Sequence, residues 1–224
     1  MISRQQLAKM IDHSILNPSV TYDDVKKGCK EALQYGFAAV VVNPNHVPIV
    51  ARELKSSPVK VCSVISFPFG LSTTIAKTHE ARTALEEGAE EIDMVMNFSA
   101  LKSGDSDLVL NDIKSVVQEA RRSSANIVVK VILENCYLTD NEKRQACQLT
   151  VQAGADYVKT STGFGKSGAT TEDVRLMREI VGPKFGVKAA GGIRTVEQAL
   201  QMIQAGANRI GASASVSIVE SLKP

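Results

Sequence analysis

The sequence predicts an α/β protein that folds as a single (β/α)8 barrel, or TIM barrel, over residues 1–224. Eight short apolar segments alternate with helical patterns, and 224 residues divided by eight leave 28 residues for each strand and helix. Glycines that end predicted helices show one spacing twice, because 52 positions separate Gly36 from Gly88 and also Gly154 from Gly206. Each interval covers two strand–helix units, as a repeated βα fold requires.

The first predicted strand covers residues 7–13 and ends in polar residues. Thr21 is a good N-cap for a helix that extends to about Tyr35, where Gly36 ends it. Residues 37–42 form a continuous apolar run, which is typical of a parallel strand buried on both faces. The chain therefore begins with a strand, a helix and a second strand.

The same alternation continues to the C-terminus. Further strands are predicted at residues 59–65, 91–96, 127–133, 156–160, 185–189 and 209–211. Helix starts between them carry capping signals, which are Thr139 with Glu142, Thr195 with Gln198, the weaker pair Thr170 with Asp173, and Asp105 or Ser106. A doubly wound open sheet is the alternative fold, but it would usually place a glycine-rich turn after the first strand, where this chain has Asp12-His13-Ser14.

Composition excludes several classes of function. The 26 basic and 24 acidic residues leave a net charge of +2 without blocks of like charge, and only 4% of residues are aromatic, so nucleic-acid binding has no support. The N-terminus lacks the form of a signal peptide, and no apolar run reaches the length of a membrane span. Four cysteines show no C-x-x-C spacing and are expected to be reduced, buried thiols. We therefore expect a cytoplasmic protein that does not bind membranes.

Charged residues interrupt five strands that should be apolar. They are Asp12, Asp93, Lys130, Lys159 and Lys188. Because the C-terminal ends of barrel strands form one face of the molecule, these side chains are expected to share a polar centre in the barrel mouth. For Asp12 and Lys130, a structural ion network is as good an explanation as a supporting catalytic role. Glu134, at the end of the fifth strand, is expected to lie beside Lys130.

Lys159 is the predicted nucleophile. Burial disfavours the charged amine and lowers its pKa, and Lys188 as a nearby cation would lower that pKa further. A neutral lysine amine can attack a carbonyl and form a Schiff base, while Asp93 could move protons. The alternative is a core lysine that is simply paired with a carboxylate.

A phosphate site is predicted in the loops after the last three strands. The residues are Gly163, Gly191, Gly192, Gly211 and Ser213, which offer free backbone N–H groups before helix starts. Barrels commonly bind phosphate in this region. The substrate is therefore expected to carry one phosphate at the end remote from its carbonyl.

Metal chemistry has little support in the sequence. The three histidines, His13, His46 and His79, lie in separate units without a metal-binding spacing. Only His13 is near the predicted centre, and a single histidine does not hold zinc. We expect neither a metal nor another cofactor.

Several segments together resemble the deoxyribose-phosphate aldolase family of class I, Schiff-base aldolases, and the likeness covers nearly the whole chain. They lie at residues 11–14, 42–44, 66–70, 91–97, 102–105, 129–134, 157–164, 187–195 and 209–211. The chain departs from the family at Val42, where a cysteine is common, and at Ser215 after Ala214, where a glycine is common. The first departure argues against a catalytic thiol, and the second affects the last loop.

The resemblance implies a (β/α)8 barrel that cleaves 2-deoxy-D-ribose 5-phosphate to D-glyceraldehyde 3-phosphate and acetaldehyde without a cofactor. Lys159 would form the Schiff base, Asp93 would exchange protons, and Lys188 would perturb Lys159 and share in proton transfer. The phosphate would bind at the five loop residues named above, and the protein would form a dimer or tetramer. Two alternatives stay open, namely a phosphate-binding barrel isomerase with Asp93 as base and a sugar-phosphate binding protein without catalysis.

Overall fold

The computed structural model describes residues 2–222 and confirms the predicted barrel. Eight parallel strands form one closed sheet in which each strand pairs with its sequence neighbour and the last pairs with the first. The strands are β1 Ile11–Ile15, β2 Ala39–Val42, β3 Lys60–Ile65, β4 Glu91–Val95, β5 Val128–Ile132, β6 Tyr157–Lys159, β7 Gly186–Ala190 and β8 Arg209–Ala212.

Helices surround this sheet. They are α1 Arg4–Ala8, α2 Tyr22–Tyr35, α3 Val47–Glu53, α4 Thr74–Glu86, α5 Phe98–Lys102, α6 Ser106–Ser123, α7 Asp140–Gln152, α8 Thr171–Val181, α9 Val196–Gln204 and α10 Ser215–Ser221, with short 3₁₀ turns at Pro44–His46 and Asn135–Tyr137. Most apolar side chains pack between the outer face of the sheet and these helices, where they form the main core.

Local sequence explains where the helices begin and end. Thr139 and Thr195 form the predicted reciprocal capping boxes, whereas Thr170 accepts from the Asp173 amide without the reciprocal bond. Asp105 caps α6 through its side chain. The predicted C-terminal glycines, Gly36, Gly88, Gly154 and Gly206, all have positive φ angles that a residue with a Cβ rarely adopts.

The start of the chain differs from the prediction. Residues 7–13 were expected to form the first strand, but Leu7 and Ala8 belong to α1, and β1 begins only at Ile11. Ser3 and Gln6 form a capping box that begins this helix, and the helix buries Leu7 and Ala8 on one side. Five residues with mixed patterning are too few to distinguish a helical turn from a strand.

The interior of the barrel has two different sectors. Alternate side chains of β2 and β3 form a small apolar cluster of Ala39, Val41, Cys62 and Val64, which is separate from the main core. The other six strands contribute charged groups to the interior. This division places the polar chemistry on one side of the barrel and gives it an apolar wall on the other.

Candidate active site

Seven charged side chains from six strands meet inside the barrel, and we call them the central cluster. They are Asp12 on β1, Glu91 and Asp93 on β4, Lys130 on β5, Lys159 on β6, Lys188 on β7 and Arg209 on β8. The register places Asp93 beside Lys130 and Lys159 beside Lys188, so these neighbours point to the same face of the sheet. All five charged residues predicted from the sequence are therefore brought together.

Asp93 is the hub of the central cluster. Its Oδ2 atom lies 2.7 Å from the Lys159 amine and 2.7 Å from the Lys188 amine, and its Oδ1 atom lies 2.8 Å from the Lys130 amine. Because both amines lie 2.7 Å from the same Oδ2 atom, the distance between them is at most twice that value. That is close enough for each charge to influence the other directly.

The other two carboxylates hold the remaining cations. Asp12 accepts from Lys188 and, at 3.0 Å, from Arg209. Glu91 lies 2.5 Å from the Lys130 amine and 3.2 Å from the Arg209 guanidinium.

The cluster therefore has three carboxylates for four basic groups, so one basic group lacks a carboxylate of its own. Lys130, Lys188 and Arg209 each contact at least two carboxylates. Among the carboxylates of residues 2–222, Lys159 contacts only Asp93, which it shares. Lys159 is the group that can most easily remain neutral.

The pKa values agree with this imbalance. Burial lowers the pKa of Lys159, and Lys188 lowers it further, although Asp93 opposes both effects. Burial also disfavours the charged form of Lys188, but Asp12 and Asp93 outweigh it and raise that pKa. For Asp93, the effect of burial is outweighed by Lys130, Lys159 and Lys188, which hold its pKa well below the ordinary value. The predicted lowering of the Lys159 pKa by a neighbouring cation agrees with this geometry.

Three residues in or beside the central cluster were missed in the sequence. Glu91 stands two residues before Asp93 and therefore on the same strand face, a period-two signal that could have identified it. Arg209 starts β8 and lies 5.8 Å from the centre of the Tyr157 ring, for which Gly186 leaves room. The Cys62 thiol lies 3.3 Å from Asp93 and has a pKa raised by burial, so it is a neutral donor to that carboxylate.

A cavity of about 370 Å³ opens beside Lys159 at the C-terminal end of the strands. All five residues predicted to bind phosphate line it: Gly163, Gly191, Gly192, Gly211 and Ser213. Arg194 also lines the cavity and was missed, because a basic residue after a Gly-Gly turn has no distinctive spacing. Backbone amides and a guanidinium suit an anionic group.

The two departures from the family pattern do not disturb this cavity. Val42 is fully buried in the main core. Ser215 is also buried, and its hydroxyl donates to the Ala212 carbonyl at 2.8 Å. The serine hydroxyl therefore provides a hydrogen-bond partner for a backbone carbonyl of the loop that leads into α10.

Glu134 does not lie beside Lys130 as expected. Its carboxylate accepts from the hydroxyl and the amide of Thr162, while Lys130 is held by Glu91 and Asp93. The left-handed backbone of Glu134 directs its side chain to the loop after β6, which strand alternation could not reveal. Burial raises its pKa, whereas the bonds from Thr162 and the charge of Lys159 lower it.

The histidines remain apart. His13 is next to Asp12 on β1 but points to the other face, where it stacks on Phe37 and lies 3.4 Å from Glu31. His46 belongs to a 3₁₀ turn and His79 to α4. Within residues 2–222, no three His, Cys, Asp or Glu side chains are grouped so that they could hold a metal ion.

Comparisons with known proteins identify the family and agree with the fold. The family model "DeoC/LacD family aldolase" matches residues 6–218. A deoxyribose-phosphate aldolase of Thermococcus gammatolerans is 60% identical over 216 residues, which are 96% of this chain and 95% of the relative. No helix of residues 2–222 is sufficiently long and apolar to cross a bilayer.

Solved structures show the same architecture. A putative deoxyribose-phosphate aldolase from Coccidioides immitis is 42% identical with a TM-score of 0.93, and the match covers 97% of this chain and 86% of that one. The tetrameric deoxyribose phosphate aldolase from Aeropyrum pernix is 36% identical with a TM-score of 0.92 and covers 99% of this chain and 92% of its own.

Proposed function

This chain belongs to the DeoC/LacD family of aldolases, and from that premise we propose that it cleaves 2-deoxy-D-ribose 5-phosphate reversibly to D-glyceraldehyde 3-phosphate and acetaldehyde through a Schiff base on Lys159. The observation that supports this proposal best is the position of the Lys159 amine. It lies in a buried cluster with too few carboxylates, shares its single carboxylate, and borders the glycine-lined cavity.

The first step is addition of the neutral Lys159 amine to C1 of the open-chain sugar. Loss of water from the carbinolamine gives an iminium ion, whose positive nitrogen can accept an electron pair from the adjacent carbon chain. Asp93 lies 2.7 Å from the amine and also bonds to Lys188, so protons can pass between these groups as water forms.

Cleavage begins when the C3 hydroxyl loses its proton to a water that is linked to Asp93. The C2–C3 bond breaks, its electrons form an enamine on Lys159, and glyceraldehyde 3-phosphate leaves. Protonation of the enamine carbon and hydrolysis of the resulting iminium release acetaldehyde and restore the amine. General acid–base help of this kind contributes about 10²–10⁴-fold, and the covalent iminium supplies the rest.

The phosphate of the sugar would lie against the backbone amides of Gly163, Gly191, Gly192 and Gly211, with Ser213 as an additional donor. Gly163, Gly191 and Gly192 have φ angles of 90°, 90° and 77°, which keep these amides accessible without side chains. Asp12 and Lys130 would support the reaction from within the central cluster, since they hold the charges around Lys188 and Asp93.

Borohydride reduction in the presence of acetaldehyde tests this proposal. We expect an ethyl adduct on Lys159, identified by peptide mass spectrometry, together with release of glyceraldehyde 3-phosphate from the sugar phosphate in a coupled assay. Conversion of a sugar phosphate without an adduct would instead favour an isomerase that uses Asp93 as base. Binding without turnover would favour a sugar-phosphate binding protein.

We further propose that the protein forms a dimer or tetramer and acts in the cytoplasm. The tetrameric relative from Aeropyrum pernix supports the first proposal. The four cysteines, Cys29, Cys62, Cys136 and Cys147, are unpaired, which suits a reducing compartment. Light scattering of the purified protein would establish its oligomeric state.

A further inference from the structure

The backbone of Glu134 has a conformation that is unfavourable for any residue with a Cβ atom. Its φ is 56° and its ψ is 60°, in the left-handed region. The amides on either side explain this geometry, since Leu133 donates to the Lys159 carbonyl and Asn135 to the Thr160 carbonyl, both at 2.9 Å. The residues before and after Glu134 are thus hydrogen-bonded to β6 and its end, and this fixes the direction of the Glu134 side chain.

The carboxylate of Glu134 is almost completely buried, with 2% of the residue exposed. Its two oxygens accept from the Thr162 amide at 3.3 Å, and one of them also accepts from the Thr162 hydroxyl. The loop after β6 packs closely against the carboxylate at Gly165. A Cβ atom at that position would lie only 3.1 Å from the Glu134 carboxyl carbon. The Cys136 thiol, at 3.9 Å, is a weak further donor to the carboxylate, so the Thr162 hydroxyl is its main side-chain partner.

These contacts determine what the Thr162 hydroxyl can do. It gives its single proton to Glu134 and accepts a hydrogen bond from the Phe164 amide at 3.0 Å. A hydroxyl has one proton and two acceptor positions, so only one acceptor position remains. Thr162 lines the same cavity as Lys159, so a ligand there meets this hydroxyl as an acceptor.

We propose that Glu134 is a positioning residue for the aldolase reaction, because it fixes Thr162 as a hydrogen-bond acceptor for a hydroxyl group of the sugar bound to Lys159. This inference rests on the proposed function, since it requires a hydroxylated substrate at Lys159. Glu134 acts through Thr162, whereas Asp93 contacts the reacting amine directly. The phosphate is proposed to bind the glycine loops and Ser213, which line the same cavity and which changes at Glu134 or Thr162 do not replace.

A double-mutant cycle tests this assignment in the full-length protein. Glu134→Gln and Thr162→Val should each lower kcat/KM for 2-deoxyribose 5-phosphate about tenfold, which is the upper end of the scale for one hydrogen bond between neutral groups. The double variant should be no worse than Thr162→Val, because Glu134 has nothing left to orient. The loss should fall on kcat, with KM nearly unchanged, because phosphate contacts are kept.

Two further variants complete the experiment. Thr162→Ser keeps the hydroxyl and should retain most of the activity. Glu179→Gln is the matched control, since Glu179 is exposed and pairs with Arg144 on the surface, and it should leave activity unchanged. Circular dichroism should show that all variants are folded.

Multiplicative losses in the double variant would overturn the inference, as would Thr162→Ser with activity as low as Thr162→Val or Glu134→Gln with wild-type activity. Failure of the proposed function itself would be recognised in the wild-type protein. In that case the wild-type protein would neither cleave the sugar phosphate nor give an adduct with acetaldehyde and borohydride on Lys159.

Discussion

Two regions of this protein bury a lysine next to a carboxylate, and they differ in how the charges are matched. Outside the barrel, Lys77 of α4 lies 2.5 Å from Asp112 of α6 and 3.0 Å from the Val95 carbonyl. The Thr74 hydroxyl donates to the second oxygen of Asp112. In the central cluster, by contrast, Lys159 shares one carboxylate with Lys188 and Lys130.

Burial alone does not distinguish these two lysines. It lowers the pKa of Lys77, with Asp112 opposing it, and it lowers the pKa of Lys159, with Asp93 opposing it. What differs is that Lys77 has its own carboxylate between two helices, whereas Lys159 borders a cavity beside a competing cation. A buried lysine therefore becomes a candidate nucleophile only where charge imbalance and substrate access coincide.

The largest expected effect separates the two lysines directly. Lys159→Leu should lower turnover by more than about 10⁴-fold, because the remaining acid–base groups cannot replace a covalent iminium. Steady-state kinetics would measure the loss, and borohydride with acetaldehyde should no longer label the site. The matched control is Lys77→Met with Asp112→Leu, which removes the other buried pair and should leave labelling of Lys159 intact. Labelling that depends on Lys77 would contradict the assignment.

Lys188 provides a second way to sharpen the contrast. Lys188→Met should lower kcat/KM by about 10²–10⁴-fold, since both proton transfer and a nearby cation are lost. Without that cation the pKa of Lys159 should rise, and the pH–rate profile should move to higher pH. Lys188→Arg keeps the positive charge, so its profile should not move in this way even if its rate is low. An unchanged profile in Lys188→Met would refute the coupling between the two amines.

The helix pair should matter for stability instead of catalysis. Asp112→Asn leaves the Lys77 charge buried without its carboxylate, and we expect the free energy of unfolding to fall by about 3–5 kcal/mol. Urea denaturation would measure this change, while kcat of the folded protein should stay near its wild-type value. A change as small as that of an ordinary surface substitution would show that the pair contributes little.

The smallest effect concerns the pH dependence of stability. An unfolded chain keeps the proton of Lys159 up to its ordinary pKa of 10.5, whereas the folded protein releases it at lower pH. Between these two pKa values the unfolded state binds more protons, so the contribution of Lys159 to stability rises with pH, by at most about 1.4 kcal/mol per pH unit. The difference in unfolding free energy between wild type and Lys159→Leu should therefore increase with pH. A flat difference would mean that the Lys159 pKa is the same in both states.

Several features of the site were readable from the sequence because they depend on short-range patterns. Strand alternation identified Asp93, Lys130, Lys159 and Lys188 as charges inside apolar segments, and the glycine loops pointed to the cavity that they line. Glu91 could have been found by the same alternation. Lys77 was missed because a lysine in an amphipathic helix is usually on the exposed face.

The sequence by itself determined the eight-fold alternation of strands and helices, the helix caps, and the set of charges that point into the barrel, since each depends on neighbours a few positions apart. Only the tertiary structure decided which charges meet, because closure of the barrel joins groups as distant as Asp12 and Lys188, 176 positions apart. It also turned Glu134 away from Lys130, because backbone bonds to β6 fix a left-handed conformation that no side-chain pattern specifies.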